Sequence, residues 1–183
     1  MKRTDRSPKF YLFLLLFLCL VGLKSFSQST SVVIIDGDFS KKQQVMEALG
    51  DAQIVYLTSG TNPWKAIRES LETDKNITTI HLFVDASYNE IQMGGILYNL
   101  ETLGKESELG MLEGLYQGNN YQLLIYNCNL GSNQDGTELL GYIGQRTYMN
   151  VVACTNCTSI FDADFAFDYK TLDEPLPVSI IQN

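Results

Sequence analysis

Cys128 is the residue of this 183-residue chain whose position best fits a nucleophile. It follows the apolar run Leu123–Tyr126 and precedes a polar, glycine-containing loop, so the thiol stands at the carboxyl end of a predicted buried strand. The thiolate is the reactive form, and an isolated thiol has a pKa of about 8.5. Catalysis at Cys128 therefore requires a neighbouring base or cation.

The sequence contains a single histidine, His81, which is the first candidate for that base. It precedes Asp85 by four residues in an extended segment. At about 3.3 Å per residue, this spacing leaves His81 roughly 13 Å from the end of the strand. We therefore expect His81 to be a core residue rather than a partner of Cys128.

Polar side chains also end the predicted strands that neighbour Cys128. Asp36 and Asp85 each follow a β-branched apolar run, and Asn127 and Asn129 flank the cysteine. The carboxyl ends of parallel strands share one edge, where ligands gather, so we predict these four as binding residues. Carboxylate oxygens also suit magnesium or calcium, which leaves a divalent-cation site at Asp36 and Asp85 as an alternative. No motif predicts a resident metal or an organic cofactor.

Cys154 and Cys157 form a C-x-x-C sequence. Zinc would require four ligands, and a thioredoxin-like motif would open a helix, for which no pattern follows Cys157. The pair is therefore predicted to be structural, as thiols or as one disulfide. Cys128 and Cys154 should end neighbouring parallel strands about 4.8 Å apart, which is within disulfide range. The sequence leaves these two pairings open.

The elements that would position these residues alternate along the chain. Predicted strands cover 31–37, 52–59, 77–86, 122–128 and 150–154, with a possible sixth at 165–169. Helical patterns cover 40–49, 63–72, part of 99–117, and 136–146, and a hairpin is predicted at 88–98. Ser40 is the expected cap of the first helix. Such alternation predicts an α/β domain whose mostly parallel sheet is covered on both faces by helices.

The N-terminal segment predicts export. Four basic residues within positions 2–9 precede an apolar run at 11–23, and Ser25 and Ser27 lie at −3 and −1 from a cut before Gln28. The run is shorter than the roughly 20 residues that span a bilayer, although an uncleaved anchor is the alternative. We expect a signal peptide at 1–27, one domain at 31–170, a C-terminal tail at 171–183, and a secreted or periplasmic protein.

The net charge of the chain after the predicted signal peptide indicates which classes of partner to expect. Residues 28–183 carry eight Lys or Arg and 20 Asp or Glu side chains. A net charge of this sign repels phosphate backbones and anionic lipid surfaces. The expected partner is therefore a protein or a surface ligand, and neither nucleic acid nor, after signal cleavage, a membrane.

Four stretches together resemble a known family. "VVIIDG", "IHLFVDAS", "LLIYNCNLGSNQDG" and "VVACTNCTS" follow one another as in the bacterial family called domain of unknown function 4347. That family is similar to the caspase-like cysteine peptidases. The resemblance implies a single-domain, caspase-like (flavodoxin-like) three-layer sandwich. Its sheet of five to six strands would have the order 2-1-3-4-5, with a sixth strand at the edge.

The resemblance also implies which parts of a catalytic dyad are present. Cys128 falls on the family cysteine and Gly136 on a later glycine, but Asp85 falls on the expected histidine and Asn127 on the glycine before the cysteine. A carboxylate beside a thiol raises its pKa, so Cys128 is expected to be an unreactive thiol. We predict a catalytically inactive binding domain. A cysteine peptidase with an altered dyad, using Cys128 with Asp85, is the alternative.

Overall fold

The computed structural model describes residues 31–50, 54–116 and 121–181, so the predicted signal peptide at 1–27 lies outside the described residues. The main elements, in chain order, are β1 (Ser31–Asp36), α1 (Lys42–Leu49), β2 (Ile54–Leu57), α2 (Pro63–Thr73), β3 (Thr79–Phe83), β4 (Asp85–Ala86), β5 (Ile91–Met93), β6 (Ile96–Tyr98), α3 (Leu100–Gly104), α4 (Ser107–Tyr116), β7 (Gln122–Tyr126), α5 (Gln134–Thr147), β8 (Asn150–Ala153) and β9 (Tyr169–Lys170). A 3₁₀ turn, Leu130–Ser132, lies between β7 and α5.

A six-stranded sheet forms the centre of the molecule. Its strands have the order β2-β1-β3-β7-β8-β9, and all neighbours are parallel except β8 and β9. The central strands are apolar runs whose residues are buried on both faces, as a parallel sheet requires. The predicted α/β class and the mostly parallel sheet are confirmed.

One face of the sheet is covered by helices. Apolar side chains of α2, α4 and α5, among them Trp64, Leu109 and Leu139, pack with the sheet side chains Ile34, Leu82, Leu123 and Val151 in one buried cluster. Asn62 caps α2 by accepting hydrogen bonds from the backbone N–H groups of the first turn, and Pro63 follows as the first helical residue. The predicted helix within 99–117 consists of two helices, α3 and α4.

The opposite face is covered by one helix and an irregular segment. Val45 of α1 packs beside Ile160, Phe165 and Phe167, which lie on Tyr126 and its neighbours in the sheet. The prediction of a sixth strand at 165–169 was wrong in its bounds. Phe165 and Phe167 are buried in this layer, and β9 begins only at Tyr169. The aromatic side chains fill space that a helix would otherwise fill, and this burial outweighs strand pairing.

A small antiparallel sheet, β4-β5-β6, extends from the end of β3. Its turn is made by Gly94 and Gly95, both at positive φ (60° and 78°), as a two-residue hairpin requires. Any Cβ at Gly94 would collide with the backbone carbonyl of Thr61, so this glycine is needed for packing as well as for the turn. Among the described residues, no helix is both long and apolar enough to span a bilayer.

Candidate functional site

A polar cavity of about 170 Å³ lies at the carboxyl edge of the sheet, where chemistry was predicted. It is formed by the loops that follow β1, β3, β7 and β8. Its walls bring together four predicted site residues, Asp85, Asn127, Cys128 and Asn129, and several that were not predicted as site residues: Phe39, Ser40, Lys41, Tyr126, Thr158 and Ile160. Asp85 and Cys128 therefore face one cavity.

Asp85 is held by the loop before α1. One carboxylate oxygen accepts a hydrogen bond from the backbone N–H of Ser40 and the other from the Ser40 hydroxyl, both at 2.8 Å. Ser40 was predicted to cap α1, but Lys41 holds the cap position and makes no side-chain cap. The local capping rule fails because the helix begins one residue later than expected, and the Ser40 hydroxyl is turned to a carboxylate 45 residues away in sequence.

Asn127 and Asn129 connect the ends of two strands. Asn127 is 8% exposed; its amide donates to the Val84 carbonyl, and its oxygen accepts from the backbone N–H groups of Asn129 and Leu130. Asn129 donates to the Ala86 carbonyl at 3.2 Å. These bonds fix the loop after β7 against the loop after β3. The two asparagines therefore line the cavity and also set its shape.

Asp36, predicted as a binding residue, is bonded within the fold and is not a wall residue of the cavity. Its carboxylate is 2% exposed and accepts hydrogen bonds from the backbone N–H groups of Asp38 and Gly94. These bonds tie the end of β1 to the hairpin turn. Within the described part of the chain, no three His, Cys, Asp or Glu side chains lie together as metal ligands would.

Cys128 is bonded to Cys157, with 5.2 Å between their Cα atoms. The expectation of an unreactive free thiol at Cys128 was therefore wrong, and the pairing is neither of the two that the sequence left open. Cys154, although it ends the neighbouring strand, is a free thiol that is 2% exposed. Burial raises the pKa of the Cys154 thiol. The loop 155–158 turns back over the edge of the sheet and brings Cys157 to Cys128.

His81 is a core residue, as predicted. It is 3% exposed, and its Nδ1 lies 2.9 Å from the hydroxyl of Tyr126 on the neighbouring strand. Burial lowers the pKa of His81 to about 4. The imidazole is thus neutral near pH 7 and remote from the loops that carry Cys128. Tyr126, whose pKa burial raises to about 12, also accepts a hydrogen bond from the backbone N–H of Ile180.

The structure explains why position 136, where the family resemblance expects a glycine, is occupied by Gly136. It lies in the first turn of α5, where a Cβ would overlap the carbonyl oxygens of Leu130 and Tyr88. Only a residue without a side chain allows the helix to start this close to the loop after β7 and to the hairpin.

Sequence reasoning missed Lys41 and Thr158 as wall residues. Both lie in connections without regular periodicity, and neither belongs to a motif.

A larger groove, of about 560 Å³, lies at the amino edge of the sheet beside Ser31, Val55 and Ala66. It is remote from the cavity and is lined mainly by aliphatic side chains, with Glu69 and Asp74 at its border.

The comparisons with known proteins place the chain in a family without assigning a function. No curated protein and no solved structure matches the sequence significantly. The pattern of one family matches residues 32–171, which is most of the chain and includes every wall residue of the cavity. The chain belongs to the family described as Domain of unknown function (DUF4347).

Proposed function

We propose that this protein is an exported, catalytically inactive domain of caspase-like architecture that binds a protein or surface ligand through the cavity at its carboxyl edge. The observation that carries the proposal is the state of the two candidate dyad positions. Cys128 is bonded to Cys157, and both oxygens of Asp85 are bound to Ser40. A cysteine in a disulfide is not a free nucleophile, and the Asp85 carboxylate is oriented towards Ser40, which supports the proposal of a binding domain without peptidase activity.

Three further features support the proposal. The sheet order and the hairpin that follows β3 agree with the architecture implied by the resemblance. A disulfide between loops is typical of proteins in oxidising compartments. The N-terminal sequence has the organisation of a signal peptide.

Peptidase activity is tested on the reduced protein, because reduction removes the obstacle at Cys128. The protein and its Cys128→Ser variant are each incubated with a proteome-derived peptide library, and cleavage products are counted by mass spectrometry. We expect no cleavage by the wild type above the level of the variant. Cleavage that depends on Cys128 would establish the altered-dyad peptidase instead.

Binding is tested with two matched substitutions at opposite edges of the sheet. Thr158→Arg places a long side chain at the cavity, and Thr78→Arg places the same side chain at the amino edge; both positions are exposed. Each variant and the wild type are used to capture proteins from the exported fraction of the native cells. We expect a ligand retained by the wild type and by Thr78→Arg but lost with Thr158→Arg. Equal retention by both variants would exclude the cavity.

Export is tested by the mass of the protein recovered outside the cytoplasm. We expect a mature chain that begins at or near Gln28. Recovery of a chain that still carries Lys2 to Lys9 would contradict the proposal.

A further inference from the structure

We propose that Cys128, Cys157 and Cys154 form a thiol–disulfide exchange site, in which the buried Cys154 displaces Cys128 from Cys157 and exposes the Cys128 thiol to the cavity. This inference goes beyond binding and does not depend on it. It assigns a chemical role to the third cysteine, which the proposed function leaves unused.

The three sulfurs lie in one layer of the structure. Cys154 belongs to the buried cluster on the α1 face of the sheet, and Cys128 and Cys157 pack against that cluster. The register of β7 and β8 pairs Leu124 with Val152, so the even-numbered residues of both strands point to this face. Cys128 and Cys154 therefore project to the same side.

The turn after β8 brings Cys157 back against the buried cluster that contains Cys154. The backbone N–H of Asn156 donates a hydrogen bond to the Cys154 sulfur. The same turn is fixed by Asp168, whose carboxylate accepts from the backbone N–H and the hydroxyl of Thr155. Two residues between cysteines in a turn is the spacing at which sulfurs exchange in C-x-x-C sites.

The exchange is balanced within the chain. The Cys154 thiolate attacks the Cys157 sulfur, the bond between Cys157 and Cys128 breaks, and its electron pair leaves on Cys128. The proton lost by Cys154 is matched by one that Cys128 takes up from solvent. One disulfide and one thiol are present before and after, so no oxidant or reductant is consumed.

Burial slows the exchange at rest. It raises the pKa of the Cys154 thiol, and the negative charge of Asp168 acts in the same direction. Attack is therefore slow while Cys154 stays covered. Cys128 leaves into a polar cavity lined by Lys41, whose positive charge favours a departing thiolate, and by Asp85, whose negative charge opposes it.

Tryptic mapping distinguishes the two pairings directly. Trypsin cuts after Lys105, Arg146 and Lys170, so Cys128 lies in peptide 106–146 and the other two cysteines lie in peptide 147–170. The resting disulfide joins the two peptides. After exchange, the disulfide lies within peptide 147–170 and Cys128 is free to be alkylated.

The folded, oxidised protein is incubated with iodoacetamide at pH 8 without reductant, quenched in acid and mapped. We expect alkylated Cys128 to accumulate together with peptide 147–170 containing an internal disulfide. In Cys154→Ser the rate of Cys128 alkylation should fall at least tenfold, because the attacking thiol is absent. Circular dichroism checks that this variant is folded, and Cys154→Ala provides a second one.

Two results would overturn the proposal. The first is a wild-type protein in which only Cys154 is alkylated and the two peptides stay joined. The second is equal alkylation of Cys128 with and without Cys154. A Cys128→Ser variant adds an independent check, because air oxidation should produce the internal disulfide of peptide 147–170; two free thiols in that folded variant would refute the geometry. Peptide cleavage and ligand capture play no part in these measurements.

Discussion

Polar side chains at single positions stabilise this domain by bonding backbone groups of nearby and distant loops. The Asp36 side chain accepts hydrogen bonds from two backbone N–H groups. The Asp85 side chain accepts from Ser40, and the Asn127 side chain accepts from the loop that follows it. A buried polar group that loses its partner costs roughly 1–3 kcal/mol. The buried Asp36 and Asn127 are therefore needed for stability, whatever the domain binds.

His81 makes stability depend on pH. Its folded pKa of about 4 lies below the ordinary 6.5, so the unfolded chain takes up the proton first. The full stability is present above pH 6.5 and is lost as the pH falls towards 4. Urea unfolding should show a loss of about 3 kcal/mol from this group over that window. His81→Gln, which cannot be charged, should reduce the loss by that amount; an unchanged pH profile would show that His81 titrates normally.

Two glycines of α5 provide a matched pair. Gly136→Ala should lower the free energy of unfolding by about 3 kcal/mol, because its Cβ overlaps two backbone carbonyls that cannot easily move. Gly141→Ala, whose Cβ would lie 3.8 Å from the Tyr169 hydroxyl, should raise it by roughly 0.5–1 kcal/mol through helix propensity. Chemical denaturation measures both. Equal effects would mean that the contact at Gly136 is not tight.

Among the elements, the irregular segment that carries Phe165 and Phe167 covers part of one face of the sheet, as helices cover the other face. Tyr126 of β7 stacks on Phe83 with ring centroids 4.1 Å apart and meets Phe167 edge to face at 5.1 Å. Its hydroxyl reaches both His81 and the backbone N–H of Ile180. One side chain thus joins the sheet, the aromatic layer and the C-terminal tail.

Removing that hydroxyl tests the connection. Tyr126→Phe keeps the stacking but should cost about 2 kcal/mol, because a buried His81 nitrogen and the Ile180 N–H lose their partner. The Ile180 amide should exchange with solvent faster, as measured by hydrogen exchange. Tyr148→Phe, at a side chain that is 40% exposed, is the control and should change stability by less than about 0.5 kcal/mol. Unchanged exchange at Ile180 would mean that the tail is held by other contacts.

For the whole molecule, the disulfide adds a constraint that the sheet does not supply. Cys128 and Cys157 are 29 residues apart, and the loop between them contains α5 and β8. Closing a loop of this length restricts the unfolded chain by about 3.5 kcal/mol. The bond joins two of the four loops that form the cavity, those after β7 and β8, so its loss should affect stability and cavity shape together.

Removing both disulfide cysteines measures this contribution. Cys128→Ala combined with Cys157→Ala should lower the Tm by about 10 °C. A reductant should lower the Tm of the wild type and of Cys154→Ala by a similar amount, and should not change that of the double variant. A double variant that melts within about 2 °C of the wild type would show that the bond contributes little.

Regular periodicity is the part of the structure that the sequence by itself determined. Apolar runs such as Val32–Ile35 and Leu123–Tyr126 have few alternatives to a buried strand, and the helical patterns between them force parallel pairing. These local rules were enough to predict the fold class, the approximate positions of the strands, and the edge of the sheet that carries Asp85 and Cys128. The burial of His81 followed from its place within such a run.

Only the tertiary structure decided which residues far apart in the sequence contact each other. Ser40 bonds to Asp85 across 45 residues and Asp36 to Gly94 across 58, and no local pattern encodes either contact. The Cys128–Cys157 pairing depends on the path of an irregular loop, whereas strand register alone favoured Cys154. Local rules determine which way a strand residue points, but a loop takes the path that satisfies the most buried polar groups, and that is a property of the whole chain.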